Sequence, residues 1–164
     1  MSIVKFKTLR HIETVRNFLS AFIVELVNRQ IAHDQTKLIS PEQEYLEMHT
    51  EKLRSLTYGS PEYFACLEEM KPGVEHHYKE NWHHPEHYPV FICNGCQVEY
   101  NDEAPEECVC RSKEFTKQVT LRRMNLVDLI EMIADWKSAG LRHKDGDLLR
   151  SIEMNQKRYG YSNE

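Results

Sequence analysis

The strongest constraint on how this chain folds is a quartet of cysteines. Cys93, Cys96, Cys108 and Cys110 fall within eighteen residues, as a Cys-x2-Cys pair and a Cys-x-Cys pair eleven residues apart. Four thiolates at that separation can close a tetrahedral Zn²⁺ site, with Gln97–Pro105 as a hairpin-like loop between the pairs. Gly95 suits the tight turn in which backbone N–H groups reach the sulfurs. The surrounding stretch, 91–115, is rich in Cys, Glu and Asn and lacks helical periodicity. It is expected to be a small zinc-ribbon-like β insertion that depends on its metal because it has no core of its own. The single-residue spacing of the second pair departs from the usual two. A closed four-cysteine site has no open coordination position, so its role is structural. Cys66, between Ala65 and Leu67, reads as a buried small hydrophobe.

The opening MSIVKFKTLR lacks the long apolar stretch of a signal peptide, and no apolar run approaches the ~20 residues that span a bilayer. A cytoplasmic protein without a membrane segment is therefore expected, where metal-bound cysteines fit better than disulfides. The formal charge of −5 argues against broad non-specific DNA binding, which needs a basic surface. It leaves a phosphate substrate open, because bound cations reverse the local field.

Outside the insertion the patterning is helical. Ile12, Val15, Leu19, Phe22, Ile23, Leu26 and Val27 recur at helical spacing and predict a helix over 8–31. Ser40-Pro41-Glu42 reads as an N-cap followed by proline at the first position, starting a helix that runs to about Ser55. Gly59-Ser60-Pro61-Glu62 repeats that signature and predicts a helix over 61–71, closed by Pro72-Gly73. A short helix over 74–84, ending near Pro85, follows. An amphipathic helix is expected over 121–139, ended at Gly140. A turn at 143–147 leads into a last helix over 147–159. The fold class is mainly α, with residues 1–90 and 116–164 as one helical domain around the insertion. Oligomerisation stays open.

Five of the nine histidines lie between Glu75 and Pro89: His76, His77, His83, His84 and His87. His33-Asp34 offers an imidazole and a carboxylate from one point on the chain, a mix suited to Fe, Mn, Co or Zn. Lys37 follows one turn later. Asp128, Glu131 and Asp135 share one face of the predicted fourth long helix, as a ligand face or as a solvated one. On a straight helix His11 and His33 would stand about 33 Å apart at ~1.5 Å per residue. They share a metal only if the helix breaks, and a break around Asn28–Gln30, with a short helix starting near His33, is the expectation. His76 and His87 read as surface residues. Of the doublet His83-His84, one or both coordinate.

An upstream His, the His-Asp pair with its Lys, a later His-His doublet and a late helical Asp resemble the HD-domain metal-dependent phosphohydrolase superfamily. More closely, "HDQTKL", "HHYKENWHHPEHY", "MNLVDLIEMIADWKSA" and "RHKDGDLLRSIEMNQKRYGYS" look like an uncharacterised family of small HD-like phage and bacterial proteins. The resemblance covers most of the chain outside the cysteine insertion and implies an HD-like helical bundle. It implies His33 and Asp34 as central metal ligands, with His11 and Asp135, or Asp128, completing a first metal. His77, His83 and His84 would serve a second. The implied catalytic group is Asp34, Lys37, His83 and His84, with Lys37 as phosphate or hydroxide partner. Asn81, Arg142, Lys144, Asn155 and Arg158 become candidate substrate contacts.

The leading expectation is a phosphohydrolase using one or two divalent ions (Mn, Fe, Co, Zn or Mg) on a nucleotide or related phosphate ester, in the host cytoplasm if phage-encoded. A second reading makes the chain a regulatory protein that docks a host protein or nucleic acid through its ribbon. A third places a di-iron oxygenase on the same scaffold.

Overall fold

The computed structural model describes residues 2–57, 60–141 and 147–162. The architecture is mainly α, with five α-helices among the described residues and one three-stranded antiparallel sheet. The chain divides into two compact units after His33.

The first unit is a single helix, α1, Ile3–Ala32. Ser2 caps it, its hydroxyl oxygen accepting from the Lys5 N–H at 3.2 Å. No glycine or proline interrupts residues 3–32, so every backbone N–H can continue the ladder. The expected break around Asn28–Gln30 is therefore absent. α1 ends at its C-cap, His33, whose N–H donates to the Arg29 carbonyl at 2.8 Å.

The second unit opens with Asp34, which holds the left-handed conformation at φ 56°, ψ 12°. One turn of 3-10 helix, Gln35–Leu38, follows. Helix α2 spans Glu42–Ser55 and starts later than expected. Pro41 occupies the cap position, and the Ser40 hydroxyl donates to Glu44 Oε2 at 3.0 Å instead of capping a backbone amide.

Helix α3 spans Pro61–Glu80 and corrects a second expectation. Ser60 caps it as predicted, accepting from the Tyr63 N–H at 3.1 Å. The helix then runs through Pro72 and Gly73 instead of stopping there. Packing explains the glycine, since a Cβ at position 73 would lie 2.8 Å from the Tyr45 Cβ on α2. Gly73 thus lets α2 and α3 approach closely, and tertiary contact outweighs the local preference to end the helix. The continuation carries His76 and His77 on its last turns, and a second 3-10 turn, Pro85–His87, follows.

The sheet has the order β2-β1-β3, from β1 (Pro89–Cys93), β2 (Glu99–Asn101) and β3 (Phe115–Val119). Phe91 pairs with Tyr100 on one side and with Lys117 on the other. The sheet thus begins before and ends after the 91–115 segment. Val90 and Cys93 are its buried positions on β1.

Helix α4 spans Leu126–Gly140, five residues later than the periodicity alone suggests. Its start is fixed by a capping box. The Asn125 Oδ1 accepts from the Val127 and Asp128 N–H groups, and the Asp128 carboxylate accepts from the Asn125 N–H. Helix α5, Leu148–Tyr159, is capped by Asp147 and closed by Gly160 in the left-handed region at φ 66°. Trp136 of α4 stacks on Tyr159 of α5, with ring centroids 6.4 Å apart. The predicted turn over 143–147, with Arg142 and Lys144, lies outside the described residues except for Asp147. No helix among the described residues is long and apolar enough to cross a membrane.

Candidate metal centres

The four cysteines converge at one end of the sheet. Their sulfurs all lie within 4.8 Å of one another, with Cys93–Cys110 and Cys96–Cys108 both at 3.5 Å. A tetrahedron with Zn–S bonds of ~2.3 Å has edges of about 3.8 Å, so this cage is close to zinc size. Gly95 is needed at the knuckle, because a Cβ there would meet the Cys110 sulfur at 3.1 Å. Tyr100 donates its hydroxyl to the Cys108 sulfur at 3.2 Å. Burial opposes ionisation of Cys93, but backbone N–H groups of Cys96 and Gly95 and the neighbouring thiols outweigh it and bring its pKa down to about 6. The Cys96 thiol receives help from the Val98 N–H, yet the sulfurs of Cys108 and Cys110 push it up to about 12. Four negative sulfurs this close oppose one another unless a cation sits among them. The cluster can hold a metal such as zinc.

A second cluster joins Asp34 to the histidine stretch. Asp34, His77, His83 and His84 bring four ligand-type atoms within 4.8 Å of one another. Asp34 Oδ1 lies 3.4 Å from His77 Nε2 and 3.6 Å from His83 Nε2, and the Nε2 atoms of His77 and His84 are 2.8 Å apart. The other carboxylate oxygen of Asp34 accepts from Lys37 Nζ at 2.6 Å. Its left-handed backbone turns the aspartate side chain out of the run of the chain, a conformation that short polar residues tolerate best.

Two of the three histidines, His77 and His83, are held from behind by a carboxylate. Glu42, only 2% exposed, accepts from His77 Nδ1 at 2.9 Å, from Thr36 Oγ1 at 2.9 Å and from His76 Nδ1 at 2.8 Å. Glu131 on α4 stands 3.1 Å from His83 Nδ1. With Nδ1 donating, the Nε2 lone pairs of His77 and His83 face the cluster, the arrangement that orients a metal-binding imidazole. Burial, the neighbouring imidazoles and Lys37 push the His84 pKa down to about 3. Burial, then Lys37, also lowers that of His77. These imidazoles stay neutral near pH 7, as metal ligation requires. The donor set fits a divalent cation of the Zn, Fe, Mn or Co type.

The remaining expected site residues are placed as follows. His11 is exposed on α1, about 33 Å along a continuous helix from His33 at ~1.5 Å per residue, so the two cannot share a metal. His33 caps α1 as the last residue of the first unit. Asp128 is fully buried and structural, because its carboxylate caps α4 and accepts the Tyr88 hydroxyl at 2.8 Å. Asp135 brings a carboxylate oxygen within 4.8 Å of Asp34. Asn81 backs the cluster, its amide donating to Thr36 Oγ1 at 2.9 Å and to the His77 carbonyl at 2.8 Å. Asn155 donates to the Ser151 carbonyl, and Arg158 to Glu86 Oε1 at 2.5 Å. Arg158 lines a separate cleft beside β3 with Lys117, Arg122 and Lys157. His87 stands 3.3 Å from the Tyr78 carbonyl.

Sequence reasoning missed Glu42, Thr36 and the pairing of Glu131 with His83. Glu131 carried a signal, its place three residues after Asp128 on a carboxylate face. Glu42 carried none beyond its position at a helix start.

Beside the cluster lies a cavity of about 240 Å³. Lys37, Glu42, His77 and His84 are its polar lining, and Tyr45, Leu46, Met70, Gly73, Val74 and Tyr78 line the rest.

No curated protein and no solved structure matches the chain. The model of a family of unknown function, DUF5662, matches residues 2–164. With nearly its whole length matched, the chain belongs to the DUF5662 family.

Proposed function

We propose that this protein is a metal-dependent phosphohydrolase whose reaction centre is Asp34, His77, His83 and His84. One observation carries the reading: three imidazoles and a carboxylate converge, with buried Glu42 and a second carboxylate, Glu131, behind two of the rings. A dication held by one carboxylate and by imidazoles, which bind a metal in their neutral form, stays net positive and attracts a phosphate ester. Such an ion supplies charge neutralisation and a water acidic enough to give hydroxide near neutral pH. The chain's own residues do the rest. Asp34 bridges the cluster and Lys37, so the lysine ammonium is fixed beside the anionic part of a substrate. Glu42 and Glu131 hold the imidazole tautomers. The resemblance to HD-domain phosphohydrolases supports the same chemistry and extends it to nucleotide-type esters.

The test is elemental analysis of the purified full chain, followed by a panel of phosphate esters with Mn²⁺, Co²⁺ or Mg²⁺. The wild type should carry at least one divalent ion beyond the cysteine site. Asp34→Ala should lose that ion and all metal-dependent turnover while retaining its fold. A protein that binds metal only at its cysteines overturns the proposal. Iron as the resident metal, with O₂ consumption in place of hydrolysis, would favour the oxygenase reading.

A docking role for the ribbon has its own support. Val109, between two cysteine ligands, is 84% exposed. On the docking reading this outward side chain is where a protein partner, including a host protein, would be met. Val109→Glu should abolish such binding and leave hydrolysis unchanged.

A further inference from the structure

The cavity beside the histidine cluster differs in character from the cluster itself. Its polar end holds the imidazoles of His77 and His84 and one cation, Lys37, which already pairs with Asp34 at 2.6 Å. The Glu42 carboxylate at its edge is occupied by His76, His77 and Thr36. The remaining wall is apolar or aromatic, and no arginine among the described residues lines it. The Tyr78 and His84 rings, both in its lining, lie 4.9 Å apart, tilted by 50°.

Charge and volume together restrict the occupant. A polyphosphate chain brings several negative charges, and one lysine already paired with Asp34 does not match them even with a single dication at the histidines. An apolar cavity of about 150 Å³ accepts benzene, so the roughly 240 Å³ here has room for one substituted ring. Gly73 and Tyr45 both line it, and a Cβ at position 73 would lie 2.8 Å from the Tyr45 Cβ.

We infer that this cavity binds a compact apolar group, one aromatic ring in size, on a ligand with a single anionic head directed at Lys37 and His84. On the phosphohydrolase reading, from which the identity of the head follows, the substrate is an aryl-type phosphomonoester and not a nucleoside polyphosphate.

The test compares phenylphosphonate, methylphosphonate and adenosine triphosphate by calorimetry on the metal-loaded full chain, with metal content measured in parallel. Burying the ring should make phenylphosphonate bind about tenfold or more tighter than methylphosphonate. Val74→Phe should erase that advantage with metal content unchanged. Equal binding of the two phosphonates, tighter binding of adenosine triphosphate, or no phosphonate binding overturns the inference, and none of these needs the variant to fold. Failure of the wider reading looks different. A chain without metal at the histidines that still prefers phenol to methanol keeps the cavity assignment and loses the phosphohydrolase.

Discussion

Glu42 and His77 lie thirty-five positions apart in sequence and meet at 2.9 Å, carboxylate oxygen to Nδ1. The contact joins the first turn of α2 to the last turns of α3 and fixes which nitrogen of His77 faces Asp34. Glu42→Gln should weaken metal binding at the histidine site by about 10–100-fold, the usual cost of losing a carboxylate behind a ligating histidine. The cysteine site should be unaffected. Competitive metal titration of both proteins checks this.

Asp128 separates a structural carboxylate from a metal ligand. Asp128→Ala removes the reciprocal cap of α4 and leaves the Tyr88 hydroxyl without its acceptor. The expected loss is about 1–3 kcal/mol, from a cap worth ~1 kcal/mol and the lost hydrogen bond of a half-buried hydroxyl worth up to ~2. Denaturant titration measures it. Metal stoichiometry should stay at the wild-type value, and a lost equivalent would return Asp128 to the ligand set.

The depressed histidines set a direction for pH dependence. His84 is held near 3 and His77 below its ordinary 6.5, so the unfolded chain binds more protons than the folded one between those values. Stability should rise with pH through this window and be fully present above about pH 6.5. With zinc at the cysteine site only, the urea midpoint should fall as the pH is lowered from 6.5 toward 4. His84→Asn should flatten that slope, and parallel slopes would show that His84 is not held neutral.

For the ribbon, Cys108→Ser should remove one zinc equivalent and open the segment between Cys93 and Phe115 to limited proteolysis. The far-ultraviolet helical signal should persist, because α2–α5 do not depend on the sheet for their caps. Tyr100→Phe removes only the hydroxyl bonded to the Cys108 sulfur. It should retain the metal but release it faster to a chelator.

Local signals were the legible ones. Ser60-Pro61 marks a helix start through backbone chemistry confined to a few residues, and the structure uses it so. The cysteine cluster was equally legible, because its ligands lie close in sequence. Pro72-Gly73 misled because a long-range fact, the Tyr45 ring against α3, decides whether the helix continues. Helical periodicity set α4 too early because Leu121–Met124 fit the pattern, while the Asn125–Asp128 capping box fixed the true start. Periodicity also could not tell which carboxylate on that helix turns inward to His83. Glu42 was invisible for the same reason: its partners come from another helix, and nothing within its own turn announces them.

Asp34 combines two demands that a protein designer would normally meet with different residues. Its backbone, at φ 56°, asks for glycine or asparagine. Its side chain must supply a carboxylate between two imidazoles and an ammonium group. A sequence chosen for backbone comfort alone would replace this aspartate, give a more relaxed chain, and lose the charge on which the cluster is built. Asp34→Gly and Asp34→Asn therefore make a natural pair. The first relieves the backbone and empties the position, and the second keeps the shape and removes the charge, so together they separate what the fold needs from what the chemistry needs.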